Sequence, residues 1–189
     1  MPGVLGAERM KPIIILPQLW MDRCNAYGSA MYAKHGEGRP GRGGRATDPD
    51  QQAGSKMAEC GFCLWLGVDP EQLNWTRFAD PEGHDLQVQF VKFQIKSSHW
   101  NSKYLIWPRE DNDKYKGAKF DLLLFAQYDV PSGRIRLMGY ISKNYFGTFH
   151  FVAGEHHDLL TGTWYLERCH LWDIKDLLPL QQQAEKAAE

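Results

Sequence analysis

No apolar run in the chain approaches the length of a bilayer. Stretches such as Ile13 to Leu16 and Leu122 to Ala126 fall far short of the roughly 20 residues a spanning helix needs. No membrane partner is therefore expected. The first residues carry Glu8, Arg9 and Lys11 without an apolar signal-peptide centre, which leads to the expectation of a cytoplasmic, intracellular protein. Cysteine is scarce: Cys24, Cys60, Cys63 and Cys169 are too few for a disulfide scaffold and read as reduced thiols. Charge of one sign is also missing, because the net charge is −1, which excludes a histone-like polycation but leaves room for a local basic patch. There is no internal repeat. What is abundant is aromatic surface, 13% of the residues with seven Trp, enough for a heavy core, a stacking surface or both. With 43% hydrophobic and 24% charged residues, disorder, collagen and coiled coil are excluded as descriptions of the whole. At 189 residues one domain is expected, able to bury its core without a staple.

Along the chain, residues 1–17 read as a loose leader ending in Ile13-Ile14-Ile15-Leu16 and stopped by Pro17. Helical spacing of Leu19, Cys24, Tyr27, Met31 and Tyr32 predicts a helix from Gln18 to about Lys34. Residues of about 35–54, rich in Gly and Arg, read as a flexible loop. A second helix is expected from about Ser55 to Leu66, with Ser55 as N-cap and Gly67 as stop. Strands follow: Leu73 to Phe78, then Asp85 to Ser97 with its alternation slipping phase near Phe90, where a bulge or tight turn would fit. Phe120 to Gln127 is nearly continuously apolar, the pattern of a strand buried on both faces. Arg134 to Ser142 should pair with it across Pro131-Ser132-Gly133. Gly162 to Glu167 reads as the last strand, Leu171 to Gln183 as a terminal helix, and about 181–189 as a short tail. The expected fold class is α/β, a mixed central sheet flanked by helices in a single domain over 1–189.

Three features in order carry chemistry: Glu59 on the second helix, Asp85 opening a strand, and Gln94-Ile95-Lys96 closing it. The Asp85 carboxylate, the Gln94 side-chain oxygen and the Ile95 backbone carbonyl are hard oxygen donors of the kind Mg²⁺ takes, and Mn²⁺ would be expected to substitute. Gln94 and Lys96 are two apart and share one face of the strand. From there the Lys96 ammonium could stabilise charge building on a phosphate. Glu59 could reach the site from its helix, orienting a water or helping to hold a metal.

The segments Gly54-Ser-Lys-Met-Ala-Glu59 with Leu64-Trp-Leu-Gly67, Asp85 with Phe93-Gln-Ile-Lys-Ser-Ser98, Lys119-Phe-Asp-Leu-Leu-Leu-Phe125 and Met138-Gly-Tyr-Ile-Ser142 resemble the PD-(D/E)xK nuclease superfamily. The likeness covers roughly residues 54–145. It implies a restriction-endonuclease-like fold and a Mg²⁺-dependent hydrolase of DNA phosphodiester bonds, an endonuclease rather than an exonuclease. It also implies catalytic roles for Glu59, Asp85, Gln94 and Lys96, with Asp85, Gln94, Ile95 and Glu59 around the metal. The family's small members suggest a phage or mobile-element enzyme. Two sites are needed to cut both strands at once, so a homodimer is one expected assembly. The chain departs from the pattern at His84, where the family carries Pro, and at Gln94, where it carries a carboxylate. One negative charge fewer leaves open a catalytically silent DNA-binding protein of the same fold. An RNA-directed enzyme is a third reading.

For DNA contact the expected residues are Arg39, Arg42 and Arg45 of the Gly/Arg loop, followed by Ser97, Ser98, His99, Trp100 and Lys103 directly after the catalytic strand. Cations would meet phosphates there and Trp100 would stack on a base. Asp121 is expected to be structural. Cys60-x-x-Cys63 has no second matching pair, and its cysteines read as buried apolar residues rather than zinc ligands.

Overall fold

The computed structural model describes residues 11–35, 48–76, 84–102, 104–108, 119–148, 150–151, 163–167 and 171–180. Its elements are β1 (Ile13–Ile15), α1 (Gln18–His35), α2 (Pro49–Leu66), β2 (Leu86–Val88), β3 (Val91–His99), β4 (Tyr104–Pro108), β5 (Leu122–Asp129), β6 (Arg134–Ser142), β7 (His150–Phe151) and β8 (Thr163–Glu167). A five-stranded mixed sheet runs in the order β1-β6-β5-β3-β2, with β3 and β5 parallel and the other pairs antiparallel. A second, antiparallel sheet has the order β4-β8-β7. The class is mixed α/β, as the sequence predicts. No helix among the described residues is long and apolar enough to cross a membrane.

The nearly continuous apolar run of β5 is explained by its two neighbours and two covered faces. Leu124, Ala126 and Tyr128 join the core that α2 supplies with Met57, Cys60 and Phe62. Leu123 and Phe125 point the other way, into a second cluster with Met138, Ile141 and Leu166. Fully burying each such side chain contributes on the order of 1.5–3 kcal/mol. Asp121 is structural, as expected: its carboxylate accepts the Lys92 N–H at 2.9 Å and its own N–H reaches the Lys92 carbonyl at 2.8 Å, locking β3 against β5.

Several boundaries differ from the sequence reading for local reasons. Within the expected leader, Ile13–Ile15 form β1, an edge strand on β6, with Ile14 against the core and Ile13 and Ile15 exposed; residues 1–10 lie outside the described residues. Helix α2 begins six residues before Ser55, so residues 49–54 of the expected loop are helical. Asp48 is the N-cap, accepting the Gln51 N–H at 2.6 Å, and Pro49 fits the first turn because its missing N–H would have no partner there. Gly67 does end the helix, in the left-handed conformation (φ 73°) that a residue with a Cβ enters at a cost.

No strand forms at Leu73 to Thr76. Pro70–Gln72 is a 3₁₀ turn capped by Asp69, and Trp75 donates its indole N–H to the Pro70 carbonyl at 3.0 Å, so local hydrogen bonds displace a ladder. Phe78 lies outside the described residues. The phase slip near Phe90 is a tight turn, with Gln89 at φ 56°, which makes β2 and β3 a hairpin. The terminal helix begins later than expected. Trp172 pairs with Tyr140 and Asp173 caps a 3₁₀ turn at Ile174–Leu177, so helical structure does not begin at Leu171. The sheet β4-β8-β7 was not anticipated beyond β8. The expected tail at 181–189 lies outside the described residues.

Candidate active site

Hairpin β2–β3 and helix α2 bring the predicted residues together at one edge of the main sheet. The Asp85 N–H bonds to the Phe93 carbonyl at 2.8 Å, which seats Asp85 opposite Gln94. Its Oδ2 accepts the Ile95 backbone N–H at 2.6 Å and a hydrogen bond from Gln94 Nε2. Both Asp85 and Gln94 are half-buried. The expected proximity of Asp85, Gln94 and Ile95 is therefore present, and the carboxylate is held by two N–H donors. Presenting the Gln94 oxygen to a cation would require turning its amide over.

Glu59 comes to the same place from α2, with a side chain 14% exposed. Its partner is Lys56, one helical turn earlier, in an ion pair. Burial pushes the Glu59 carboxyl up to about 7; Lys56 opposes that shift, Asp85 adds to it, and Lys96 opposes it more weakly. Glu59 thus feels both Asp85 and Lys96. Gln94 enters only through its hydrogen bond to Asp85.

Two members of this cluster were missed in the sequence. Lys56 is buried, donates to the Asn74 carbonyl at 3.0 Å, and lies 4.8 Å from the ring centroid of Tyr27 and 5.8 Å from that of Trp75. Burial works against its ammonium, but Glu59, Tyr27 and Asp85 together outweigh burial and the Lys56 pKa is raised. Tyr27 is the other: burial raises its hydroxyl pKa, Lys56 lowers it, and Glu59 and Asp85 raise it further. The i,i+3 spacing of Lys56 and Glu59 was a visible signal. Nothing in the sequence marked Tyr27, which arrives through the close crossing of α1 and α2. Gly28 permits that crossing, since a Cβ there would meet the Ala53 nitrogen at 2.8 Å.

The donor set bears on Mg²⁺ directly. Among the described residues no group of three or more His, Cys, Asp and Glu is arranged to hold a metal ion. What the edge offers is two carboxylates, Asp85 and Glu59, with the neutral oxygens of Gln94 and of the Ile95 backbone. Mg²⁺ accepts such a set when waters complete the shell. Glu59, paired with Lys56, is the less available carboxylate. The contact with Cys24 and burial raise the pKa of the Cys60 thiol, and burial raises that of Cys63.

The residues expected to touch DNA divide. Arg39, Arg42, Arg45 and Lys103 lie outside the described residues. Ser97 donates its hydroxyl to that of Ser55 at 3.3 Å, tying β3 to α2, and Ser98 reaches the His99 carbonyl at 3.5 Å. His99 is exposed, with Nε2 3.4 Å from the Tyr128 hydroxyl. Trp100 lies under two guanidinium groups, those of Arg134 and Arg136. Those two arginines were not singled out in the sequence. Comparison of the chain with protein-family models, with curated proteins and with solved structures found no match.

Proposed function

We propose that this chain is a Mg²⁺-dependent nuclease of restriction-endonuclease-like fold that hydrolyses DNA phosphodiester bonds, endonucleolytically and inside the cell. The observation that carries the reading is the meeting of Asp85, Gln94 and Ile95 on one hairpin with Glu59 and Lys96 in the same electrostatic field. A bound Mg²⁺ would supply Lewis acidity toward a phosphate oxygen and a lowered water pKa. Asp85 and Gln94 would hold it, with the Ile95 carbonyl, and Glu59 would join if Lys56 released it. Lys96 projects from the same face of β3 as Gln94 and would stabilise negative charge as it develops on the phosphate. Glu59, with a pKa near neutrality, is suited to exchanging a proton with water at that edge.

One observation favours a second reading, a DNA-binding protein that does not cut. The Asp85 carboxylate is already satisfied by two N–H donors and Glu59 by an ammonium, so the cluster is closed upon itself. Supercoiled plasmid separates the two. Nicking or linearisation with Mg²⁺, abolished by EDTA and by Asp85→Ala, is the expected result. Binding without cleavage under Mg²⁺ or Mn²⁺ would leave the silent reading standing and the nuclease reading refuted.

A further inference from the structure

Strand β3 carries Gln94, Lys96 and Ser98 on one face, and Trp100 continues that alternation just past its end. Trp100 is fixed there by its backbone, whose N–H bonds to the Tyr128 carbonyl at 2.9 Å. The next residue, Asn101, holds φ 72°, the left-handed conformation that asparagine adopts readily in turns. Ser102 ties the turn down. Its N–H bonds to the His99 carbonyl at 3.2 Å, and its carbonyl accepts from Gln127 Nε2 at 2.6 Å.

Two strands away, Arg134 and Arg136 alternate onto the same face. Arg136 faces Gln127 across the ladder, and Gln127 faces Ser98. Their guanidinium carbons lie 4.8 and 3.9 Å from the centroid of the Trp100 ring. Arg136 also donates to the Gln127 side-chain oxygen at 3.4 Å. Stacking on an indole holds a guanidinium in place without neutralising it, and leaves N–H groups at its edge for an anion. The nearest carboxylate in register is Asp129, cross-strand from Arg134, which accepts a hydrogen bond from the Ser132 hydroxyl. Arg134 itself is exposed and, among the described residues, pairs with no carboxylate.

We infer that Arg134 and Arg136, stacked on Trp100, form a contact for the DNA phosphate backbone, four residues along β3 from Lys96, about 13 Å at strand rise. The inference rests on the nuclease reading and adds to it a place where the substrate strand is held beyond the reacting phosphate. The contact reads charge and not sequence.

The test compares wild type with Arg134→Gln, with Arg134→Gln/Arg136→Gln and with Arg134→Lys/Arg136→Lys, on duplex DNA of one sequence. Binding is measured by fluorescence anisotropy across a salt series in EDTA, and cleavage kinetics are measured with Mg²⁺. Each lost phosphate contact should reduce the slope of log K against log salt by about 0.9. The double Gln variant should therefore bind at least about tenfold more weakly at low salt, with a slope shallower by nearly 2. Its KM should rise while kcat stays within a few-fold. The Lys pair should recover most of the slope, because counterion release follows charge. Arg134→Gln, at an exposed position, should show half the change without any question of folding. If wild type binds and cuts DNA and the Gln variants match it in affinity, slope and KM, this inference is wrong and the nuclease reading survives. If wild type neither binds nor cuts DNA, the nuclease reading fails and takes the inference with it.

Discussion

Replacing Gln94 by glutamate asks whether the edge of β2–β3 is a cation site, and it does so without relying on catalysis. In the native protein Gln94 Nε2 donates to Asp85 Oδ2, so the two side chains are in direct contact. Gln94→Glu exchanges that hydrogen bond for two carboxylates facing each other. At about 4 Å and an effective dielectric near 20, their repulsion is about 4 kcal/mol. Half-burial, salt and uptake of a proton by one carboxyl all reduce it, to a net loss of about 2 kcal/mol in EDTA. For a domain of this size that lowers Tm by about 4–8 °C. Mg²⁺ should return the loss, since a ligand at a hundred times its Kd stabilises by about 2.7 kcal/mol. The site with the added carboxylate should gain more from a given Mg²⁺ concentration than wild type does. Thermal melts in EDTA and in graded Mg²⁺ provide the assay. The reasoning is refuted if the variant melts like wild type in EDTA, or if Mg²⁺ raises both proteins equally.

Lys96→Ala should bind DNA within a few-fold of wild type, keep its Tm, and cleave about 10²–10³-fold more slowly in single-turnover assays, because its charge acts on a phosphate that becomes more negative in the transition state. Lys56→Met removes the cation beside Glu59. Glu59 already has its folded pKa raised above the usual carboxylate value, so its contribution to stability is most favourable at low pH and declines between about 4.5 and about 7. The variant should extend that decline to higher pH, with melts at pH 8 showing a larger Tm deficit than melts at pH 5; an equal deficit at both would mean that Glu59 does not need Lys56. Gly54→Ala should lower stability by about 1–3 kcal/mol by overpacking, since its Cβ would enter the Tyr128 ring that seats α2 on β5, and chemical denaturation would measure the loss.

How much of this could be read in the residues differs from element to element. Strand β5 was legible because burial on both faces leaves an unbroken apolar run, and the turn at Pro131-Ser132-Gly133 fixed its partner. The start of α2 was misread although Asp48-Pro49 carries the stronger capping signal, because the preceding Gly/Arg stretch suggested that the whole region was irregular. Leu73 to Thr76 looked like a strand by composition. What prevents it is hydrogen bonding to Pro70 and Asn74, which only the folded turn brings within reach.

The candidate site divides along the same line. Alternation along one strand is a covalent property, so residue order alone puts Gln94 and Lys96 on one face and Trp100 in the same phase. The phase slip near Phe90 marked an irregularity and left a bulge and a tight turn both open; the fold makes it a turn, which brings Asp85 opposite Gln94. Folding, and not the local pattern, places Tyr27 beside Lys56 and sets Arg134 and Arg136 on the ring of Trp100. Each of these contacts joins residues whose separation depends on helix crossing or strand order rather than on local periodicity. Two helices can cross at many angles and a strand can take many neighbours, and packing of the whole core selects among them.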